Sequence, residues 1–297
     1  LTAVQQVCAD ELDVDIEQIQ VVSGDTALVP NEGVTAGSFS MPNCATAVRH
    51  ASAEVRALLL ELAAERWKVP VDTLQASQGI VRGAHGAQVR YGDLLTGQSL
   101  EREATGKVPL KAASTHRYIG RPVPRQDIRD KVLGKPIFVQ EMRLPGMLYG
   151  QVVRPPTYGA KLKTLSAEAV QAMPGVIKVV RDGSFLGVVA DRIENAQAAA
   201  LALSQAATWD VAKALPKQAD LANWLRQAPS RLIETKKQAR ANGEAVSRSV
   251  KASYFRPYQM HASIGTSAAI ATYTDTELLI QTHSQSVFET RQAIAGM

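Results

Sequence analysis

The residues best suited to chemistry lie in one short loop. Residues 33–40 read Gly33-Val34-Thr35-Ala36-Gly37-Ser38-Phe39-Ser40, two glycines and three hydroxyls in eight positions. Glycine lets a backbone approach a ligand closely. Hydroxyls and free amides ahead of a helix favour an anion such as phosphate. The loop lacks the Gly-Lys-Ser/Thr ending of a P-loop, and it is not the dinucleotide Gly-x-Gly-x-x-Gly. On composition alone, an ordinary connection in which Ser40 caps the next helix is the commoner outcome. Two further polar clusters fall at strand ends: Tyr258-Gln259-Met260-His261 and His283-Ser284-Gln285-Ser286. Ligands often sit at such places, but His261 and His283 lack the third ligand that zinc needs. His50, His85 and His116 are scattered singly and receive no role. The carboxylates Asp10, Glu11, Asp13 and Asp15 read as a solvated helix end, not an acid/base pair. Lys236, Lys237, Arg240 and Arg248 read as a basic surface connector, not a phosphate site. No Gly-x-Ser-x-Gly, His-Glu-x-x-His or EF-hand pattern is present.

The elements that must position these residues follow from periodicity. Residues 1–12 have a helical pattern, 18–23 a strand pattern, and about 42–67 a long amphipathic helix. Its stripe is Cys44, Val48, Ala51, Val55, Leu58, Leu59 and Leu62, with Pro42 in the first turn. Short strands follow at 74–77 and 79–82. A Pro-, Lys- and Arg-rich stretch at 107–135 reads as a linker. Residues 147–211 then read β-α-β-β-α-β, with Asp182-Gly183 as a hairpin turn. After a polar connector at 213–247 come a strand from 249, strands at 267–273 and 278–283, and a helix from 287. With 297 residues, two or more domains are expected. A net charge of +5 is too mild to demand nucleic acid. No run approaches the roughly 20 apolar residues of a membrane span. Two cysteines, Cys8 and Cys44, exclude a four-cysteine zinc site or iron–sulfur cluster in this chain.

Three groups of motifs resemble a known family. The first is Ala9-Asp10-Glu11-Leu12-Asp13-Val14, Gly24-Asp25-Thr26, Pro30-Asn31-Glu32-Gly33, Thr35-Ala36-Gly37-Ser38 and Ala47-Val48-Arg49. The second is Gly120-Arg121-Pro122, Arg125-Gln126-Asp127-Ile128, Lys131-Val132-Leu133-Gly134, Leu144-Pro145-Gly146-Met147-Leu148-Tyr149-Gly150 and Val153-Arg154-Pro155-Pro156. The third is Pro257-Tyr258-Gln259-Met260-His261-Ala262 with Gln285-Ser286-Val287. Together they resemble the molybdopterin-binding subunit of the xanthine dehydrogenase/aldehyde oxidase family, most of all its isoquinoline 1-oxidoreductase beta-subunit and nicotinate dehydrogenase type. Departures are Ala45 where the family often has Gly, and Thr266 where it often has Pro.

The resemblance implies an α+β, multi-domain chain. A partial molybdopterin-binding domain (1–112) precedes a linker and an α/β hammerhead domain (113–212). A basic connector and the start of a second molybdopterin-binding domain (213–297) follow. It implies a molybdenum hydroxylase that hydroxylates an N-heterocycle or oxidises an aldehyde with water. The cofactor is a molybdopterin dinucleotide carrying molybdenum, and electrons leave through iron–sulfur clusters on a partner subunit. A cytochrome c subunit is a second candidate partner and the substrate is a small molecule; the compartment, periplasmic or cytoplasmic, is left open. Thr35, Ala36, Gly37, Ser38, Phe39 and Ser40 match the loop that wraps the pterin, which reverses the weighting given to that loop above. Gln259 matches a glutamine that hydrogen-bonds a molybdenum oxo ligand. The family's Gly-Gln-Gly motif, its Gly-Gly-Phe-Gly-Gly motif and its general-base glutamate are not found between Leu1 and Met297. The chain is therefore expected to be a piece of a longer polypeptide, inactive by itself and supplying no metal ligand. The competing expectation is a scaffold that keeps the fold and binds no molybdenum.

Overall fold

In a computed structural model, residues 1–97, 102–211, 215–231, 233 and 248–297 are described. Packing divides the chain into two units: residues 1–142 with 267–297, and residues 143–266.

The first unit opens with helix α1 (Thr2–Leu12), which ends where Asp13 turns left-handed at φ 56°. The expected strand at 18–23 does not form. A 3-10 turn at Ile16–Gln18 takes its place. The Gln5 amide donates to the carbonyls of Ile16 (3.0 Å) and Ile19 (2.8 Å), so a side chain satisfies acceptors that a sheet would otherwise need. The long helix α2 (Thr46–Trp67) is present, but its first turn is a π-helical turn at Ser40–Ala45. Its buried face is Ser52, Ala53, Leu59, Ala63 and Ala64. The small residues on that face let neighbouring elements approach. Strands β1 (Gln75–Ser77) and β2 (Ile80–Arg82) form as expected. They are joined by Gln78-Gly79, both at positive φ, as a two-residue hairpin requires. A third strand, β3 (Gln88–Arg90), completes an antiparallel meander that the sequence did not reveal. Helix α3 (Tyr91–Leu94) closes it. Leu59, Ala63, Leu74, Val81, Val89 and Leu94 make the core.

Two expectations for this unit are overturned together. Asp10 and Glu11 are buried where a solvated helix end was expected, while Asp15 is exposed as expected, and the stretch at 107–135 is not a free linker. Asp10 is 1% exposed and Glu11 0% exposed. Asp10 accepts backbone N–H bonds from Arg117 (2.8 Å), Tyr118 (3.1 Å) and Ile119 (2.7 Å). Glu11 accepts from the Lys111 N–H and pairs with Arg49 at 2.9 Å and Arg56 at 3.5 Å. The carboxylates thus strap the segment onto α1, and its short helix α4 (Ile128–Val132) follows. These buried carboxylates are tolerated because Asp10 is satisfied by three backbone N–H groups and Glu11 by a backbone N–H and two arginines.

The second unit contains β4 (Tyr149–Val152), β5 (Lys161–Leu165), α5 (Glu168–Gln171), β6 (Val176–Asp182), β7 (Phe185–Ala190), α6 (Ile193–Ala206), β8 (Ala207–Asp210) and α7 (Leu221–Gln227). The antiparallel order β4-β7-β6 forms one sheet and β5-β8 another. The expected β-α-β-β-α-β order therefore gains β5, whose Lys161-Leu162-Lys163 alternation buries Leu162 alone. The hairpin turn lies one residue later than expected, at Gly183-Ser184, since Asp182 still pairs with Phe185. Helix α6 lays Ala199 and Leu203 against Leu186 and Val188, all nearly inaccessible. Helix α7 falls within the polar connector, with Leu221 buried. Lys236, Lys237 and Arg240 lie outside the described residues. No strand forms at 249–266.

The chain then returns to the first unit as hairpin β9 (Ala269–Tyr273) and β10 (Leu278–Thr282), followed by helix α8 (Val287–Ala295). These three elements match the sequence expectation.

Candidate functional site

The glycine- and hydroxyl-rich loop is exposed throughout. Gly37 (φ 60°) and Ser38 (φ 61°) are the central residues of a tight turn closed by the Phe39 N–H on the Ala36 carbonyl at 3.1 Å. Both central residues being left-handed explains the glycine, while Ser38 holds a conformation unusual for a residue with a side chain. A Cβ on Gly37 would stand 2.7 Å from the Phe39 ring, so the glycine also lets that ring fold back over the turn. Ser40 does not cap the long helix; no side-chain cap bond forms there. The π-helical turn carries the chain directly into α2, with the Thr46 hydroxyl donating to the Met41 carbonyl at 3.2 Å. Among the described residues, no group accepts from the amides of Ala36, Gly37 and Ser38, and none engages the hydroxyls of Thr35, Ser38 and Ser40. The loop carries a set of unspent donors.

That loop borders a hollow of about 360 Å³ in the first unit. Thr35, Ala36, Phe39 and Ser40 line it, as do Asn43 and Cys44 from the π-helical turn. Gly37 and Ser38 are not among its lining residues. The opposite wall is the β10–α8 turn and the start of α8: Ser284, Gln285, Val287 and Phe288. The two walls are stitched together. The Thr35 N–H donates to the Gln285 carbonyl at 2.7 Å, and the Gln285 amide donates to the Thr35 carbonyl at 2.8 Å. Glu32 and Cys44 both line the hollow. Burial first, then the Glu32 carboxylate, pushes the Cys44 thiol above its ordinary value. At the start of α8, the Ser286 hydroxyl donates to Glu289, which lies below the ordinary carboxylate range.

Gln285, Glu32, Cys44 and Phe288 line the hollow without having been assigned a role from sequence. Only the 284–286 polar cluster pointed toward them. Gln259, singled out from sequence, belongs to the second unit. Its Oε1 accepts from Arg256 at 2.9 and 2.6 Å, leaving its amide nitrogen as the available donor. His261 is exposed, and His283 sits with Nδ1 3.3 Å from the Ala268 carbonyl. Among the described residues, no three His, Cys, Asp or Glu side chains converge as metal ligands, and no helix is long and apolar enough to cross a membrane.

Similarities to known proteins cover the chain in whole or in part. The molybdopterin cofactor-binding domain family matches residues 1–133. A nicotinate dehydrogenase subunit of Pseudomonas putida is 34% identical over 100% of this chain, which spans 26% of that protein. The beta subunit of isoquinoline 1-oxidoreductase from Brevundimonas diminuta is 26% identical over 60% of this chain and 28% of its own length. A membrane-bound aldehyde dehydrogenase (pyrroloquinoline-quinone) of Gluconacetobacter polyoxogenes is 30% identical over 60% of this chain and 24% of its own length. The chain spans about a quarter of the length of these curated relatives.

Proposed function

Because this chain belongs to the xanthine dehydrogenase/aldehyde oxidase family through a molybdopterin cofactor-binding domain at residues 1–133, we propose that its loop at 33–40 and the turn at 284–288 hold part of a molybdopterin dinucleotide. The observation that carries this reading is the set of unspent donors beside a hollow. Free amides and hydroxyls match the anionic part of such a cofactor. Glu32 would be wrong for a bare phosphate. It suits a cofactor that joins an anionic tail to a heterocycle rich in N–H donors. The rings of Phe39 and Phe288 offer apolar faces for that heterocycle. A hollow of about 360 Å³ is near the lower end for small-molecule sites, so it accepts a part of the dinucleotide.

The activity follows as part of the same proposal. The chain is a portion of the catalytic subunit of a molybdenum hydroxylase acting on an N-heterocycle or an aldehyde. When bound, the cofactor supplies the two-electron oxidation, with oxygen drawn from water. The chain's own residues would orient and shield it: Thr35 and Ser40 would donate hydroxyls and Phe39 would cover the turn, while Gln259, in the second unit, has an amide N–H that would be a donor to the cofactor. A general-base glutamate would come from outside these residues. The α+β layer built on β4–β8 serves as the hammerhead domain. An iron–sulfur partner subunit would take the electrons, with a cytochrome c subunit as a further acceptor.

Metal analysis of the full-length protein purified with its partner tests the reading. One molybdenum per chain is the expected result. Its absence would make the protein a scaffold that keeps the fold alone.

A further inference from the structure

We propose that Gln285 and Arg291 are positioning residues for the cofactor loop: from α8 and the turn before it, they pin the segment 24–36 at both ends. The proposal rests on the molybdopterin reading above. Segment 24–36 has little to hold it from within. Its local bonds are short-range: Leu28 and Val29 N–H to the Asp25 carbonyl, Ala27 N–H to the Asp25 carboxylate, and Gly33 N–H to Asn31. Its residues are mostly exposed, with Leu28 72% and Val34 55% accessible. Apart from the Glu32–Cys44 contact, its long-range bonds among the described residues come from two residues of one short region.

At the C-terminal end of the segment, Gln285 takes both backbone polar groups of Thr35, at 2.7 and 2.8 Å, as a strand partner would. At the N-terminal end, Arg291 Nη1 donates to the Thr26 carbonyl at 3.1 Å. The guanidinium lies 5.1 Å from the centre of the Phe288 ring, so the residue that grips the loop also steadies a ring lining the hollow. The turn that presents Gln285 is itself fixed. The Ser284 hydroxyl accepts the Ser286 N–H at 2.9 Å, and the Thr290 hydroxyl donates to the Ser286 carbonyl at 2.7 Å. The physical consequence is preorganisation. A loop ordered before binding loses less entropy when the cofactor arrives, so its affinity and residence time rise.

The test uses the full-length protein assembled with its partner. Gln285→Met keeps the backbone carbonyl but removes the amide donor. Arg291→Met keeps an apolar stem over Phe288 but removes the guanidinium. Arg291→Lys restores a donor and serves as the rescue. Hydrogen exchange is measured on cofactor-free protein, and molybdenum retention on loaded protein. Each Met variant is expected to speed exchange at 24–36 about three- to tenfold, the loss of one net hydrogen bond, with β6–β7 unchanged as the fold control. Molybdenum should be lost faster, and Arg291→Lys should recover most of both effects. Unchanged exchange in both Met variants would overturn the clamp. So would faster exchange with wild-type molybdenum retention, because the loop would then not govern the cofactor. A wild-type protein without molybdenum would sink the cofactor reading instead, while the exchange data would still decide whether the loop is pinned.

Discussion

Replacing Asp10 with alanine should release the strap formed by residues 109–119. The Asp10 carboxylate is 1% exposed and accepts N–H bonds from Arg117, Tyr118 and Ile119 at 2.8, 3.1 and 2.7 Å. A hydrogen bond to a charged acceptor contributes about 1.5–3 kcal/mol, and three sharing one carboxylate do not add fully. Water entering the gap re-solvates part of the amides. The expected loss is therefore about 3–5 kcal/mol, a large share of the ~5–15 kcal/mol that holds a domain. Asp10→Asn should fall between, since one oxygen remains and an NH₂ now faces backbone donors. The assay is limited trypsinolysis of the native protein, because Lys111, Arg117 and Arg121 all lie in or beside the strap. Lys111 and Arg117 are further held by Asp13 and Asp15, at 2.7 and 3.2 Å. In wild type these peptide bonds should resist cleavage; in Asp10→Ala they should be cut at least about tenfold faster, with a lower denaturant midpoint. Equal cleavage rates and equal midpoints would refute the argument that a buried carboxylate organises the strap.

Gly37→Leu should abolish molybdenum loading while leaving the second unit folded, since a Cβ there stands 2.7 Å from the Phe39 ring and φ is 60°; metal content and circular dichroism check it. Cys44 should alkylate slowly, and Glu32→Gln should speed alkylation at pH 8–9, because removing the carboxylate lets the thiol fall back toward its ordinary value while burial still opposes ionisation. The thiol's value is raised in the folded state, so whatever stability it contributes is present below the ordinary thiol value and is lost as pH rises through the raised one. Glu289 is depressed by the Ser286 hydroxyl, so its contribution to the start of α8 is present above the ordinary glutamate value of about 4.3 and is lost as pH falls through the lowered one; an NMR titration should show this, and Ser286→Ala should return Glu289 toward the ordinary range.

Elements whose burial shows in local periodicity were legible in the sequence. Helices α1, α2 and α6 and the hairpins β1–β2, β6–β7 and β9–β10 form where residue spacing placed them, although the buried faces differ in detail: Gln5, Asp10 and Glu11 are buried on α1, and Ala51 of the expected α2 stripe is exposed. The misses share a different physics. Residues 18–23 alternate well enough for a strand, yet the side chain of Gln5 takes the carbonyls that flank their start, and no partner strand exists among the described residues. Asp10 and Glu11 look like a solvated end because charge is usually exposed. Their burial depends on backbone amides about a hundred residues later, which no local window contains. β5 was hidden behind Pro155, Pro156 and Gly159, although its Lys161-Leu162-Lys163 alternation was there to be read.

The candidate site divides along the same line. Composition drew attention to the loop through its glycines and hydroxyls beside a helix, but by itself it favoured an ordinary connection, and only the family resemblance reversed that weighting. Composition misread Ser40, since a cap is a local pattern and the π-helical turn that replaces it depends on how Met41 and Thr46 meet. It assigned Gln285 nothing, since that residue acts through Thr35, 250 positions away. The loop's donors can be named from sequence, but whether they stay unspent depends on what else in the fold claims them. Gln285 claims only the backbone groups of Thr35 and leaves its hydroxyl free. A clamp built from backbone bonds holds the loop in place without consuming the groups that a cofactor would need. An anchor built on those hydroxyls would have ordered the loop equally well and left it with fewer donors to offer.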